Sequence, residues 1–269
     1  MRDQPTAIAE PRASSAATAG GAAPAGLELP ESFPRGHRDP VGIWLWGDPE
    51  EIQDYLELGV VGMVTNTIVL DQLTDSHRSM LNVIERYLEL PNNGPLIVEI
   101  DGDSTEAMLA HAAPFTRLSP RVVLKIPCSS KGLQAVSRLR VEGHYCMVTT
   151  TFSVAQTVAA VNAGAAYVAP FIGPLIDSGA DAGAIVGDIV RTVRNRVPSP
   201  YLAAGIVRTA KAADAAIRAG CDGIVISPAT YEELLLHPGT NEWNATFRGH
   251  WDNMRSKGAL PGAATAQRR

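Results

Sequence analysis

The sequence of 269 residues has few cysteines, few aromatic residues and no long apolar run. Its three cysteines are odd in number and stand in apolar or strand-like surroundings. This pattern argues against a disulfide framework and favours reduced thiols in a cytoplasmic protein. No stretch reaches the roughly 18 uninterrupted apolar residues that a membrane helix needs, so we expect no association with a membrane.

Positive charge is also scarce, since 23 Lys and Arg residues stand against 28 Asp and Glu residues with no basic block among them. The formal net charge of −5 gives no electrostatic reason to expect nucleic acid or an anionic membrane as a partner. The expected partners are small molecules. We predict neither a cofactor nor a metal ion.

Both ends of the chain are rich in small residues. Residues 1–36 are composed largely of Ala, Gly, Pro and Ser, and they lack the apolar core of a signal peptide and the Arg-rich pattern of a transit peptide. Residues 258–269 have a similar composition. We predict that both segments are disordered extensions and that residues 37–257 form one domain.

Short apolar runs alternate with longer amphipathic stretches between these ends, a pattern typical of parallel strands joined by helices. The predicted strands are Gly42–Trp46, Val60–Thr65, Pro95–Ile100, Val122–Ile126, Tyr145–Thr150, Ala166–Pro170, Tyr201–Ala204 and Gly223–Ile226. Eight such units fit a chain of this length as a single closed barrel. The predicted fold class is therefore α/β, a (β/α)8 barrel of the TIM type.

A further helix is predicted at Asn241–Lys257, beyond the eighth unit. It carries Trp243, Phe247 and Trp251 four residues apart on one face, which we call the aromatic stripe. The preferred interpretation is that the stripe packs on its own barrel. Contact with a neighbouring subunit of a homo-oligomer is the alternative.

Active sites of such barrels lie at the C-terminal ends of the strands, so the polar residues that end each apolar run are the first candidates. They are Thr65, Asn66, Glu99, Asp101, Lys125 and Thr149. Lys125 stands out because VVLKIP places an ammonium group in a strand that is otherwise apolar. Burial should lower its pKa, and a neutral amine attacks a ketone or an aldehyde. The alternative is a strand-end lysine that only extends to solvent.

The segment around Lys125 resembles the central block of transaldolases and fructose 6-phosphate aldolases. It reads LKIPCSSKGLQAVSRLRVEGHYCMVTTTFSVAQTVAAVNAGAAYVAPFIG, and about fifty residues match in order and spacing. Weaker matches at GVVGMVTNT, VEID and YLAAGIVRTAKAADAAIRAGCDGIVISP extend the resemblance over most of the barrel. The resemblance implies a class I aldolase chemistry through a lysine Schiff base.

The resemblance also assigns roles to individual residues. It makes Lys125 the Schiff-base lysine, places Glu99 and Thr149 where the family holds a water for proton transfer, and matches Asn66 to a substrate-contacting Asn. Simpler roles remain open from the residues alone. Glu99 can be a structural ion-pair partner of Lys125, Thr149 a β-branched strand residue, and Asn66 a helix cap.

The first strand departs from the family pattern, because transaldolases usually end it with an Asp that deprotonates a substrate hydroxyl. Here that position is taken by Leu45 or Trp46. Asp48 is the nearest carboxylate, and its place before Pro49 in DPEE predicts that it caps the next helix. Whether Asp48 also reaches the substrate is left open.

A second departure follows the sixth strand, where the family's FVGRI carries a phosphate-binding Arg and this chain has FIGPL, starting at Phe171. Arg208 still matches a second basic residue, after an insertion of one residue. Loss of one Arg should weaken phosphate selection. The predicted substrate contacts are Asn66, Thr65, Trp46, Asp48, Phe171 and Arg208.

The predicted function is a Schiff-base aldolase or transferase that acts on a carbonyl substrate other than the standard sugar phosphates. Retention of Lys125, Glu99 and Thr149 beside the missing Asp and Arg motivates this prediction. An ordinary transaldolase and a non-catalytic barrel that binds a metabolite are the alternatives. A buried lysine without a use is a stability liability, which argues against the second of these.

Overall fold

A computed structural model describes residues 30–31, 33–34, 39–74, 79–195 and 199–261. Most of both predicted extensions, residues 1–29 and 262–269, lies outside the described residues. Eight parallel strands close into a barrel in chain order. They are β1 Gly42–Leu45, β2 Val60–Val64, β3 Leu96–Glu99, β4 Val122–Pro127, β5 Cys146–Thr151, β6 Tyr167–Pro170, β7 Tyr201–Ala204 and β8 Gly223–Ile226. The predicted (β/α)8 barrel is confirmed, and every strand lies where it was predicted to within a residue at each end.

Helices follow the strands and cover the outside of the barrel. They are α1 Pro49–Ile52, α2 Thr67–Leu73, α3 Met80–Glu89, α4 Thr105–Thr116, α5 Ser130–Val141, α6 Val154–Asn162, α7 Ile172–Asp177, α8 Ala182–Arg194, α9 Ala210–Arg218, α10 Pro228–Leu235 and α11 Pro238–Ser256. A 3₁₀-helix at Gln53–Leu58 continues α1. Among the described residues, none of the helices has both the length and the apolar composition to cross a bilayer.

The apolar core has two parts because successive strand residues point to opposite faces of the sheet. The larger part lies between the sheet and the helices. The smaller part fills the inside of the barrel and draws one or two residues from each strand, namely Trp44, Val64, Ile97, Val123, Met147, Tyr167, Ala169, Tyr201, Ala203 and Val225. The barrel interior is therefore packed with side chains, as in other barrels of this type.

Phe33 closes the N-terminal end of the barrel. It is only 3% exposed, belongs to the interior cluster and packs against Tyr145 with ring centroids 6.0 Å apart. Tyr145 immediately precedes β5, so this contact lies at the end of the barrel opposite to the C-terminal strand ends. The predicted domain boundary at residue 37 thus leaves out a residue that packs against the barrel.

The exposure of helix α11 contradicts the preferred interpretation of the aromatic stripe. None of its residues, all of which are described, is buried. Trp243, Phe247 and Trp251 are 59%, 61% and 47% exposed, and the first two rings contact each other at 5.4 Å. The prediction that the stripe packs on its own barrel was wrong, because about half or more of the surface of each of the three side chains is exposed.

Candidate active site

The C-terminal end of the barrel carries a layer of residues directly above the packed interior. Ile97, Val123 and Met147 belong to the interior cluster, and the residue two positions beyond each of them faces the same side of the sheet. These three residues are Glu99, Lys125 and Thr149. The strand pairing also places Glu99 directly beside Lys125 and Thr149 beside Pro127. Three candidates from distant parts of the sequence therefore meet at the barrel mouth.

Lys125 is buried, with 6% of its surface exposed. Its Nζ donates a hydrogen bond to the backbone oxygen of Thr65 at 2.8 Å and lies 3.4 Å from Oε2 of Glu99. Burial lowers the pKa of Lys125 below its ordinary value, and the charge and hydrogen bond of Glu99 oppose that shift. The lysine does not extend to solvent, so the structural alternative raised from the sequence is wrong.

Glu99 is held by the backbone as well as by the lysine. Its Oε2 accepts a hydrogen bond from the amide of Thr67 at 2.9 Å, and Thr67 is the first residue of α2. The amides at a helix N-terminus favour a negative charge. Its own backbone amide donates to Oγ1 of Thr65 at 3.0 Å. The carboxylate is therefore fixed between a helix start and the amine of Lys125, and it is 8% exposed.

Thr149 contributes a hydroxyl group that is fully buried. Its Oγ1 has no hydrogen-bond partner among the described residues. An unpaired buried hydroxyl costs about 1–3 kcal/mol, so such groups usually have a bound water or ligand as a partner. If Thr149 only packed within the strand, its buried hydroxyl would cost free energy without any benefit.

Thr65 and Asn66 end β2 and have different roles. The side chain of Thr65 is completely buried, and its hydroxyl accepts the amide of Glu99 while its backbone oxygen accepts Lys125. Thr65 therefore joins the C-terminal end of β2 to Glu99 of β3 and to Lys125 of β4. Asn66 caps α2, with its Oδ1 accepting the amide of Val69 at 2.9 Å. The simpler role raised for Asn66 from the sequence, a helix cap, is therefore confirmed.

The end of β1 presents an indole where the family has a carboxylate. Leu45 belongs to the outer core cluster, whereas Trp46 is half-buried and packs on the interior cluster. Of the two residues that the sequence left open for this position, the structure therefore turns Trp46 inward. Asp48 caps α1, as predicted, by accepting the amide of Glu50 at 2.8 Å.

Phe171 continues the aromatic character of the mouth at the end of β6. It packs on the interior cluster and forms an edge-to-face pair with Phe152, with ring centroids 5.8 Å apart. Phe152 follows β5 and is 38% exposed. Phe152 was not among the site residues predicted from the sequence. Its position directly after the TTT run of β5 is the signal that would have identified it.

Arg208 lies on the surface after β7. Its Nη1 forms an ion pair with Oδ2 of Asp177 at 2.7 Å, and both side chains are about 60% exposed. Ile206, two residues before Arg208, has a left-handed backbone with φ of 56°. Exposed ion pairs contribute little free energy, so Asp177 does not lock the guanidinium in place.

Two residues near the mouth have left-handed backbones that the sequence did not predict, one within β5 and one shortly after β7. Thr150 and Ile206 both have φ of 56°. This region is costly for β-branched residues, at about 1–3 kcal/mol each, so sequence patterns favour glycine there. Ile206 also packs tightly on α7, because a Cβ at Gly173 would lie 2.2 Å from the backbone oxygen of Ile206.

The fold and the mouth define the class of protein as a (β/α)8 barrel with a buried lysine beside a carboxylate and a free hydroxyl. Residues 47–259 match the family model described as Transaldolase/Fructose-6-phosphate aldolase. The chain belongs to this family and is an aldolase-type enzyme.

Curated proteins agree with this assignment. The chain is 36% identical over 206 residues to a protein named "Probable transaldolase" from Caulobacter sp. strain K31, covering 76% of this chain and 93% of that protein. It is 31% identical over 216 residues to one of the same name from Streptococcus agalactiae, covering 78% and 96%. A third, from Brucella ovis, is 31% identical over 211 residues, covering 78% and 95%.

Proposed function

We propose that the protein forms a Schiff base between Lys125 and a carbonyl substrate and uses it to make, break or transfer a C–C bond. The main observation behind this proposal is that the buried Nζ of Lys125 lies 3.4 Å from the carboxylate of Glu99. Burial lowers the pKa of this lysine. A lower pKa leaves more of the amine neutral at working pH. The neutral amine is the form that attacks a carbonyl carbon.

The groups at the mouth are suited to the bond changes and proton transfers that the reaction needs. Nζ forms a C–N bond with the carbonyl carbon, and one N–H proton passes to the oxygen to give the carbinolamine. A second proton lets that oxygen leave as water, and the iminium that remains withdraws electrons from the adjacent C–C bond. Glu99 and the free hydroxyl of Thr149 are suited to hold one water that carries these protons.

We further propose that the substrate is not a standard sugar phosphate. Two observations support this: the inward residue at the end of β1 is Trp46 rather than a carboxylate, and Pro174 of α7 stands where the family carries a phosphate-binding Arg. Trp46, Phe152 and Phe171 give the mouth apolar and aromatic surface. Asn66 and Arg208 remain as predicted polar contacts, and Asp48 remains the carboxylate closest in sequence to the missing base.

Borohydride reduction in the presence of carbonyl compounds tests the Schiff base directly. Dihydroxyacetone, hydroxyacetone and phenylacetone form a panel from polar to aromatic, and peptide mass spectrometry should find the reduced adduct on Lys125. Lys131, which is also on the mouth side but exposed, serves as the internal control for nonspecific labelling. An adduct that is absent from Lys125 with every compound would defeat the proposal.

The alternative within the family is an ordinary transaldolase, and the names of the relatives favour it. An assay for transfer of dihydroxyacetone from fructose 6-phosphate to erythrose 4-phosphate separates the two. We expect little or no turnover. Robust turnover would favour the ordinary activity and overturn the proposal of a different substrate.

We also propose that the protein is a homo-oligomer in which α11 contacts a second copy of the chain. The aromatic stripe on α11 supports this, because it exposes Trp243, Phe247 and Trp251 on one helix face. Large apolar side chains that share an exposed face usually mark an interface.

We propose a cytoplasmic location, because the three cysteines are all free and reduced thiols are typical of that compartment. Burial raises the pKa of Cys146 and of Cys221 to about 12.

A further inference from the structure

We propose that Thr150 is a positioning residue, which fixes the hydroxyl of Thr149 for the reaction at Lys125. The inference rests on the proposed Schiff-base function. Its starting point is the backbone of Thr150, which lies in the left-handed region with φ of 56°. A β-branched residue is among the least suited to this conformation, so the side chain of Thr150 must compensate in the folded protein.

The left-handed residue belongs to a β-bulge. Val148 pairs with Val168 and Thr151 pairs with Pro170, so Thr149 and Thr150 both lie opposite the single residue Ala169. A bulge of this kind changes the direction in which a side chain points and occurs often beside active sites. Here it falls on the residue that carries the free hydroxyl.

The hydroxyl of Thr150 holds the bulge in place through two hydrogen bonds, and a third bond joins the same group of residues. Oγ1 of Thr150 donates to the backbone oxygen of Thr149 at 2.7 Å and accepts the amide of Cys128 at 3.2 Å. The amide of Cys128 also reaches the oxygen of Thr149 at 3.1 Å. Cys128 follows Lys125 by three residues, so these bonds join the end of the lysine's strand to the peptide group of Thr149.

The arrangement fixes the peptide group of Thr149 while its side chain stays unpaired. Its backbone oxygen receives two donors, whereas its Oγ1 has no partner among the residues that the structure describes. Loss of the Thr150 hydroxyl would remove one of these two donors and free the peptide group of Thr149 to rotate, which would turn the hydroxyl of Thr149 away from the barrel mouth.

A glycine at position 150 would distinguish the effect of the backbone conformation from the effect of the hydroxyl group. It adopts the left-handed conformation without strain but offers no side chain for the two bonds that the Thr150 hydroxyl makes. If the conformation alone mattered, glycine would serve at least as well as threonine. The presence of a residue that is poorly suited to this backbone points to a use for its hydroxyl.

The test compares Thr150→Gly with Thr150→Ser by the rate of borohydride-trapped adduct formation on Lys125, using the carbonyl compound that labels the wild type best. We expect the serine variant to retain the wild-type rate within about twofold and the glycine variant to be roughly tenfold slower, because small displacements of catalytic groups are costly. Thermal unfolding should change little in either. Equal rates for all three proteins would overturn the proposal.

A double-mutant comparison shows whether Thr150 acts through Thr149. Thr149→Val removes the free hydroxyl, and adding Thr150→Gly to it should slow the reaction no further, since groups that act as a unit are not additive. A merely structural role for Thr150 would instead make the two losses multiply, and that result would overturn the inference.

Failure of the proposed function has a separate signature, which is a wild-type protein that forms no adduct. Crystal structures of the wild type and of Thr150→Gly then decide the positioning role. A Thr149 side chain that turns away from the barrel interior in the variant supports the inference. An unchanged side chain overturns it.

Discussion

The backbone oxygen of Thr65 accepts a hydrogen bond from Nζ of Lys125 at 2.8 Å. A backbone carbonyl accepts a hydrogen bond from an ammonium and from a neutral amine, so this bond orients the nitrogen in both charge states. Glu99 carries a negative charge, and its carboxylate raises the pKa of Lys125. Thr65 thus fixes the direction of Nζ, whereas Glu99 opposes the effect of burial on its pKa.

Substitution of Glu99 should change the pH at which Lys125 becomes reactive. Burial lowers the pKa of the lysine and Glu99 raises it, so Glu99→Gln should lower the pKa further. The rate of adduct formation rises as the amine loses its proton. We therefore expect a pH–rate midpoint below the ordinary lysine value of about 10.4 in the wild type, and a still lower midpoint in Glu99→Gln.

The rate on the high-pH plateau should also fall in Glu99→Gln, by roughly a hundredfold or more if the carboxylate transfers protons. Glu106→Gln is a matched control, because Glu106 pairs with Arg138 on the exposed surface. A midpoint that stays in place or moves to higher pH in Glu99→Gln would contradict the assignment.

Restoring a carboxylate at the end of β1 should restore chemistry on a hydroxylated substrate. Trp46 faces the mouth, so Trp46→Asp places a base where the family uses one. We expect cleavage of fructose 6-phosphate, measured as release of glyceraldehyde 3-phosphate, to rise roughly tenfold or more over the wild type. Trp46→Asn provides the comparison, because it opens the same space without a base, and an equal rise there would attribute the gain to space alone.

The aromatic stripe should control the size of the assembly. Replacing Trp243 and Phe247 together by Glu introduces two charges on a face that is exposed in the single chain. We expect the mass from light scattering to fall from an oligomer to a monomer while the thermal midpoint of the isolated barrel is preserved. Asn244→Glu adds a charge to the same helix outside the stripe and should leave the mass unchanged; a wild type of monomer mass would refute the proposed interface.

The closure of the barrel between β7 and β8 should depend on Asp222. Its Oδ1 accepts Arg194 at 2.5 Å and its Oδ2 accepts the amide of Leu202 at 2.8 Å, and its side chain is 1% exposed. Asp222→Ala leaves both donors without their partner and should lower the free energy of unfolding by about 3 kcal/mol. Asp188→Ala, in an exposed pair with Arg191, should change it by about 0.5 kcal/mol or less. Denaturant unfolding measures both.

The barrel could be predicted from the sequence because each strand is a short apolar run and most of the helices that follow begin at a recognisable cap. Asp48 caps a helix at the predicted position. Lys125 could also be predicted, since an ammonium in an apolar strand is rare enough to be noticed. Its neighbours Glu99 and Thr149 follow from the same rule that polar residues at strand ends meet at the barrel mouth.

Other features depend on contacts between distant residues, which no local pattern reports. Whether Leu45 or Trp46 faces the mouth depends on the pairing of β1 with its neighbours. The left-handed backbones of Thr150 and Ile206 run against the preferences of β-branched residues, so only the structure reveals them. The aromatic stripe was assigned to the wrong environment because helical periodicity identifies an apolar face without identifying what covers it.

The contact of Phe33 with Tyr145 closes one end of the barrel, and the packed interior closes the axis above it. In the part of the chain that the structure describes, the lysine therefore opens to solvent at the C-terminal end of the barrel. In a transfer reaction the first product must leave through that opening before the acceptor can enter. Donor and acceptor would therefore bind one after the other at the same site. An excess of either one should then slow the other, and the aromatic rim at Trp46 and Phe171 is the surface over which both must pass.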